Sequence, residues 1–257
     1  MNVELMNVYP KNEIRLHEKL YKLLDQWHEE AESMKFIKRY TADDMVYDGF
    51  YPYYTKQKKK ILFIGREALG LNGEDYIECV YNAYKTNKIG NKHINQYKFH
   101  RLMFYLAYCI INNFPAWGKV PYASELTEDF GTEKGISFAF MNLSKFSNES
   151  GKWSADWELI DSFINNFTNT ETNYFNDEIS ILKPDIIITM NLENRLNVLG
   201  RIDSLKYGSK ASCYYLMVNR KKIPLIDLYH FSATNKKDKE EYYLPLKDAI
   251  KIYSKVV

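Results

Sequence analysis

Cysteine is scarce in this chain of 257 residues, and its three copies, Cys79, Cys109 and Cys213, lie far apart. They make no CxxC pair and no close metal spacing, which argues against a zinc ribbon or an iron–sulfur cluster. No metal and no cofactor is expected. An odd number of thiols fits reduced side chains and a cytoplasmic location. No run of eighteen apolar residues occurs, so no membrane span is expected. The first ten residues, Met1–Pro10, lack the basic-then-apolar order of a secretory leader. Net charge is also nearly absent, at +2. No global pull toward nucleic acid follows, and any basic surface must be local. There is no internal repeat, no low-complexity tract and no dividing linker, so the chain reads as a single domain.

What is present suits a globular protein. Hydrophobic residues make up 46% and charged residues 26%, enough for a substantial core. Aromatic rings are plentiful, with 22 Tyr, 14 Phe and 4 Trp. Most of them should serve packing.

Periodicity then sets out the elements. Leu16, Leu20, Leu23, Leu24, Trp27, Ala31 and Met34 recur at helical steps between Glu13 and about Tyr40. The segment Thr41–Lys60 reads as an irregular, Tyr-rich connection with a basic end. Continuous apolar runs at Lys60–Ile64, Ile136–Asn142, Asp185–Met190, Tyr214–Asn219 and Ile223–Leu228 read as strands, the first of them as a strand buried on both faces. Asn219–Lys222 can make a hairpin turn between the last two. Helices are expected at Glu74–Lys85, Gln96–Phe114, Asp156–Phe167, Tyr174–Leu182, Leu192–Leu199 and Lys239–Tyr253. Asp156 or Ser154 should cap the third, and Gly200 should close the fifth. Pro245 marks a first turn or a break in the last. Strands alternating with helices indicate an α/β fold, with a mostly parallel sheet covered on both faces. Residues 1–59 read as a helical extension capping an α/β core at 60–257.

Open parallel sheets bind ligands at the carboxyl ends of their strands. After the first strand comes Gly65-Arg66-Glu67-Ala68-Leu69-Gly70. After the second comes Asn142-Leu143-Ser144-Lys145-Phe146-Ser147-Asn148. After the third comes Asn191, and after the last Asp227-Leu228-Tyr229-His230-Phe231-Ser232. A carboxylate, an amide and an imidazole converge on one edge, a trio suited to a bond to a nitrogenous base.

These segments resemble the uracil-DNA glycosylase superfamily. The resemblance rests on Gly65-Arg66-Glu67-Ala68-Leu69-Gly70, Asn142-Leu143-Ser144-Lys145, the apolar run after Lys183-Pro184, and His230-Phe231-Ser232. It spans about Lys60 to Ser232 in matching order. Leu69 and Phe231 stand where that superfamily usually has proline, and three cysteines cannot supply its four-cysteine iron–sulfur cluster. The resemblance implies a three-layer sandwich around a central four-stranded sheet. It also implies an N-glycosidic hydrolase acting on uracil or another altered base, with DNA, a nucleotide or a nucleoside as partner.

The chemistry can be stated without the family. Cleaving an N-glycosidic bond builds positive charge on the sugar and negative charge on the departing base. Glu67 is the carboxylate candidate for the first, and His230 the hydrogen-bond donor for the second. Asn142 offers an amide to the base edge. Gly65 and Gly70 bound a turn that lets backbone approach a ligand and offers free N–H groups at a helix start. Tyr76 or Tyr81 is the stacking ring. Arg66, Lys145 and Ser232 are candidates for phosphate contact. Each has a structural alternative: Glu67 as a helix N-terminal carboxylate, Asn142 as a cap, His230 as a core imidazole, Arg66 as a surface ion pair. A binding protein without catalysis, or a hydrolase of small nucleosides, stays open beside the glycosylase reading.

Overall fold

A computed structural model describes residues 3–168 and 170–254. Met1 and Asn2, the start of the segment read for a leader, lie outside them. Seven strands form one sheet: β1 (Gly49–Phe50), β2 (Ile61–Gly65), β3 (Ala139–Asn142), β4 (Ile186–Met190), β5 (Ile202–Lys206), β6 (Ala211–Val218) and β7 (Lys221–Leu228). Their order is β1-β3-β2-β4-β7-β6-β5. The central pairings β3–β2, β2–β4 and β4–β7 are parallel, and the outer ones are antiparallel.

The expected four-stranded sheet is therefore too small. Four parallel strands do sit together at the centre, where every residue of β2, β3 and β4 is buried. Two of the added strands carry no apolar run. β1 is two residues long and exists through its pairing with Ala139 and Phe140. β5 is an edge strand, mostly exposed, with the sequence IDSLK. The β6–β7 hairpin turns at Asn219 and Arg220, both left-handed (φ 48° and 64°). That is the twist a two-residue hairpin needs.

Six longer helices among the described residues complete the layers: α1 (Lys11–Ala31), α2 (Tyr76–Lys85), α3 (Lys98–Ile111), α4 (Trp157–Phe167), α5 (Tyr174–Leu182) and α6 (Leu244–Ser254). From β2 the chain steps one way to β3 and then back past β2 to β4. Right-handed crossovers place α2 and α3 on one face and α4 and α5 on the other. Asp156 caps α4 by accepting from the Leu159 N–H at 3.1 Å. The segment after β4 is a 3-10 turn, Glu193–Leu199, closed by Gly200. A single π turn, Lys239–Tyr243, precedes α6, and Pro245 falls in the first turn of that helix. No helix among the described residues is long and apolar enough to cross a membrane.

The first sixty residues are more than a cap. The helix stops at Ala31, nine residues short of the expectation. The chain then reverses, and Phe36 packs edge-on to Phe146 at 4.6 Å. Trp27 of α1 is wholly buried and stacks on Tyr174 of α5 at 5.1 Å. The Glu13 carboxylate accepts from the N–H groups of Tyr53 and Thr55 at 2.7 and 2.6 Å. With β1 inside the sheet, this segment is part of the core.

Beneath β3 lies a buried ionic cluster. The Lys145 ammonium, fully enclosed, donates to Asp48 Oδ1 at 2.6 Å and Glu178 Oε2 at 2.8 Å. Asp48 Oδ2 accepts the Asn142 N–H at 2.7 Å. Burial alone would lower the Lys145 ammonium, but the two carboxyls beside it hold it above its ordinary value. Burial, reinforced by Asp48, pushes Glu178 well above the carboxylate range. Its Oε1 makes no hydrogen bond among the described residues. Removing one member of a buried ion pair strands the others, at a cost of about 3–5 kcal/mol. Lys145→Met should lose stability on that scale in urea unfolding. The triple variant Lys145→Met/Asp48→Asn/Glu178→Gln should recover part of the loss.

Candidate functional site

The loops that follow β2 and β3 continue the ladder of the strands. Leu143 N donates to Gly65 O at 3.2 Å, Ser144 N to Arg66 O at 2.8 Å, and Asn148 N to Ala68 O at 2.8 Å. Gly70 N then donates to Asn148 O at 3.3 Å, and Leu71 N to Ser147 Oγ at 2.9 Å. Gly65–Gly70 is thus an extended, zipped segment. The expected helix start is absent, and the Gly70 N–H is already bonded. The next helix, α2, begins at Tyr76 and is capped by Asp75.

This zipped wall bounds a cavity of about 470 Å³ at the carboxyl ends of β2 and β7. Arg66 to Leu71 line one side, and His230 and Ser232 another. Rings from α2, α3, β3 and the Tyr97 cap of α3 make the lining mostly apolar: Tyr76, Phe99, Phe140 and Tyr97. Trp153 and Lys152 sit at its mouth. Six of the ten residues singled out from sequence meet here: Arg66, Glu67, Gly70, Tyr76, His230 and Ser232.

The two titratable candidates are tuned in different directions. Burial raises the Glu67 carboxyl above the ordinary glutamate value, while the Asp156 N–H at 2.9 Å and neighbouring Arg66 oppose the rise. Glu67 is not at a helix start of its own; it ties the β2 loop to the cap of α4. Burial, with a contribution from Arg66, lowers His230 to about 3. Its ring is therefore neutral at physiological pH. Nδ1 accepts the Ser232 N–H at 3.2 Å, which leaves the ring proton on Nε2. Phe231, in the middle of this turn, is fully buried and packs against Phe63, Phe99 and Tyr242. A second neutral imidazole, His100, lowered to about 3 by burial, lines the cavity with Nδ1 held by the Tyr84 hydroxyl at 2.8 Å.

Arg66 stacks its guanidinium over the Trp157 ring at 4.6 Å, and Arg195 lies 4.0 Å from the same ring. Arg66 Nε is buried and makes no hydrogen bond among the described residues. Arg66 and Lys152 are the two cationic residues of the cavity lining.

Three expectations move. Lys145 is not a phosphate contact, because its ammonium is committed to the buried cluster. Asn142 is 2% exposed and lies outside the cavity lining. Its Oδ1 sits over Gly65, where an added Cβ would lie 2.6 Å from it and 2.9 Å from the Phe140 ring. Gly65 likewise lies under the site and does not line it. Of the two tyrosines, Tyr76 reaches the cavity, already stacked on Phe140 at 4.5 Å. Tyr81 packs on Phe130 and Tyr51 instead. Sequence reasoning missed Phe140, Phe99, Tyr97, Trp153 and Asn148. Phe140 had a signal, two residues before the end of an apolar strand. Asn148, 3% exposed, uses its side chain on the backbone of Ser150 and Ser154. Among the described residues no group of three or more His, Cys, Asp or Glu is placed to hold a metal ion.

Comparison with known protein families and with curated proteins returns no match.

Two outcomes follow from this geometry. Gly65→Ala should cost about 1–3 kcal/mol, since Asn142 and Phe140 must both shift; chemical denaturation measures it. An NMR titration should find the His230 ring neutral, with no inflection between pH 8 and 5.

Proposed function

We propose that this chain hydrolyses the N-glycosidic bond of uracil or another altered base in DNA, as its resemblance to the uracil-DNA glycosylase superfamily implies. The observation that carries the reading is Glu67 and a neutral His230 on one apolar cavity at the carboxyl end of a parallel sheet. The cavity, at about 470 Å³, accommodates an extruded base among the Phe140, Tyr76 and Phe99 rings. As the bond from C1′ to the base nitrogen breaks, the Glu67 carboxylate stabilises the sugar cation or orients the attacking water. That water adds to C1′ and gives up a proton to Glu67. The departing base carries the bonding electrons as an anion, and the His230 Nε2–H bonds to its oxygen. A neutral donor suits this role, because it changes no charge before reaction. A carboxyl raised toward neutrality suits proton uptake.

A second reading, recognition without cleavage, draws on Asn142, whose amide packs over Gly65 and is not offered to the cavity. Tight binding of a uracil-containing oligonucleotide with no base released would select it.

Release of free base from such oligonucleotides, single- or double-stranded, is the direct test. Glu67→Gln should slow single-turnover release by about 10²–10⁴, and His230→Ala by about 10²–10³. The rate should fall on the acid side as Glu67 takes up its proton, with a midpoint above the ordinary glutamate value of about 4.3. His230→Gln should leave that midpoint in place, since the imidazole is neutral throughout the range. Absence of release from substrates carrying several altered bases would overturn the hydrolytic reading.

A further inference from the structure

The cavity mouth carries a feature that base cleavage does not use. Trp153 is 65% exposed, an unusual position for the largest apolar side chain. Its ring lies 5.6 Å from that of Tyr97. The Lys92 ammonium stands 5.6 Å from the Trp153 ring and 5.9 Å from the Tyr97 ring. Lys92 belongs to a two-stranded ribbon, Lys88–Ile89 with Lys92–His93, whose lysines are exposed, as is Lys152 beside Trp153. From Cys79 to Ser124 the sequence contains no Asp or Glu, while it holds Lys85, Lys88, Lys92, Lys98, Arg101 and Lys119. Lys98 and Arg101 are held by Asp238, but Lys88, Lys92 and Lys152 are exposed and make no ion pair among the described residues, so the near-zero net charge of the chain hides a local excess of cations at the mouth.

An exposed ring beside a half-buried one, flanked by lysines that make no ion pair among the described residues, matches one kind of ligand. The rings need flat apolar faces, and the lysines need a regularly charged backbone. A paired base in a duplex presents neither face, because its neighbours already cover both. We propose that Trp153 and Tyr97 form a stacking platform for an unpaired base adjoining the one in the cavity, with Lys88 and Lys92 on the flanking phosphates, so that the chain prefers single-stranded nucleic acid. The identity of the cavity's own occupant rests on the function proposed above; the platform does not depend on cleavage.

Fluorescence anisotropy with a labelled short oligodeoxythymidylate, alone and annealed to its complement, tests this at fixed salt. The single strand should bind at least about tenfold more tightly than the duplex. Trp153→Ala should weaken single-strand binding by about tenfold or more, the loss expected for one stacked base, and Trp153→Phe should retain most of it. Lys88→Ala/Lys92→Ala should flatten the dependence on salt by about 0.7 per phosphate contact removed. Trp153 is exposed, so its replacement leaves the core intact. Wild-type affinity in Trp153→Ala, or duplex bound as tightly as single strand, would overturn the platform. Trp153-dependent binding by a protein that releases no base from any substrate would sink the hydrolytic reading alone. Base release with single-strand affinity indifferent to Trp153 would sink the platform alone.

Discussion

The structure depends on one fully buried ammonium. Lys145 follows the end of β3 and takes its two partners from Asp48, before β1, and Glu178, in α5. Those three segments are separated by about a hundred and about thirty residues of chain, and no apolar contact could specify their mutual register so narrowly. An unpaired charge in the interior is far costlier than a missing methyl group. Any packing that separates the three is therefore strongly disfavoured. Asp48 extends the constraint to the Asn142 N–H, and so fixes the strand end from which the β3 loop departs. Trp27 closes the cluster from α1, 5.1 Å from the ammonium. The N-terminal helix is held to the sheet by the same group.

From that fixed strand end the functional geometry follows. The β3 loop zips onto the β2 loop, and the β2 loop presents Arg66, Glu67 and Gly70 to the cavity. On the far side, a buried phenylalanine sets the turn that carries His230. Where a proline would stiffen the backbone directly, Phe231 achieves a comparable restraint through packing, with Phe63, Phe99 and Tyr242 around it. A loop can be held by its covalent geometry or by what its side chain is buried in, and this turn uses the second.

Legibility in the sequence tracked burial. The central strands were readable because strands buried on both faces are continuous apolar runs, and α5 was readable because Pro184 punctuates its end. β1 and β5 were not, since one consists of two residues and the other is an exposed edge. The residues that meet in the cavity follow strand ends, and the rule that parallel sheets bind at those ends located them. Lys145 was misplaced for a physical reason. A lysine after a strand end normally reads as solvated, and nothing local announces that Asp48 and Glu178 will arrive beside it. Asn142 was misplaced by direction: its position at the strand end was right, but its side chain lies over Gly65. Trp153 carried no signal, because exposure of a single ring depends on the whole surrounding surface.

The zipped loops also have a thermodynamic consequence. Catalytic and recognition residues often lie on loops that must be ordered when a ligand arrives, which weakens affinity by the fraction of time the competent shape is absent. Here the wall bearing Glu67 inherits the stiffness of the sheet, since its Gly65, Arg66 and Ala68 carbonyls and its Gly70 and Leu71 N–H groups are already bonded to the neighbouring loop. Its ordering entropy is lost during folding rather than during association. Ligand entry then resembles insertion into a slot whose Glu67 wall is already formed.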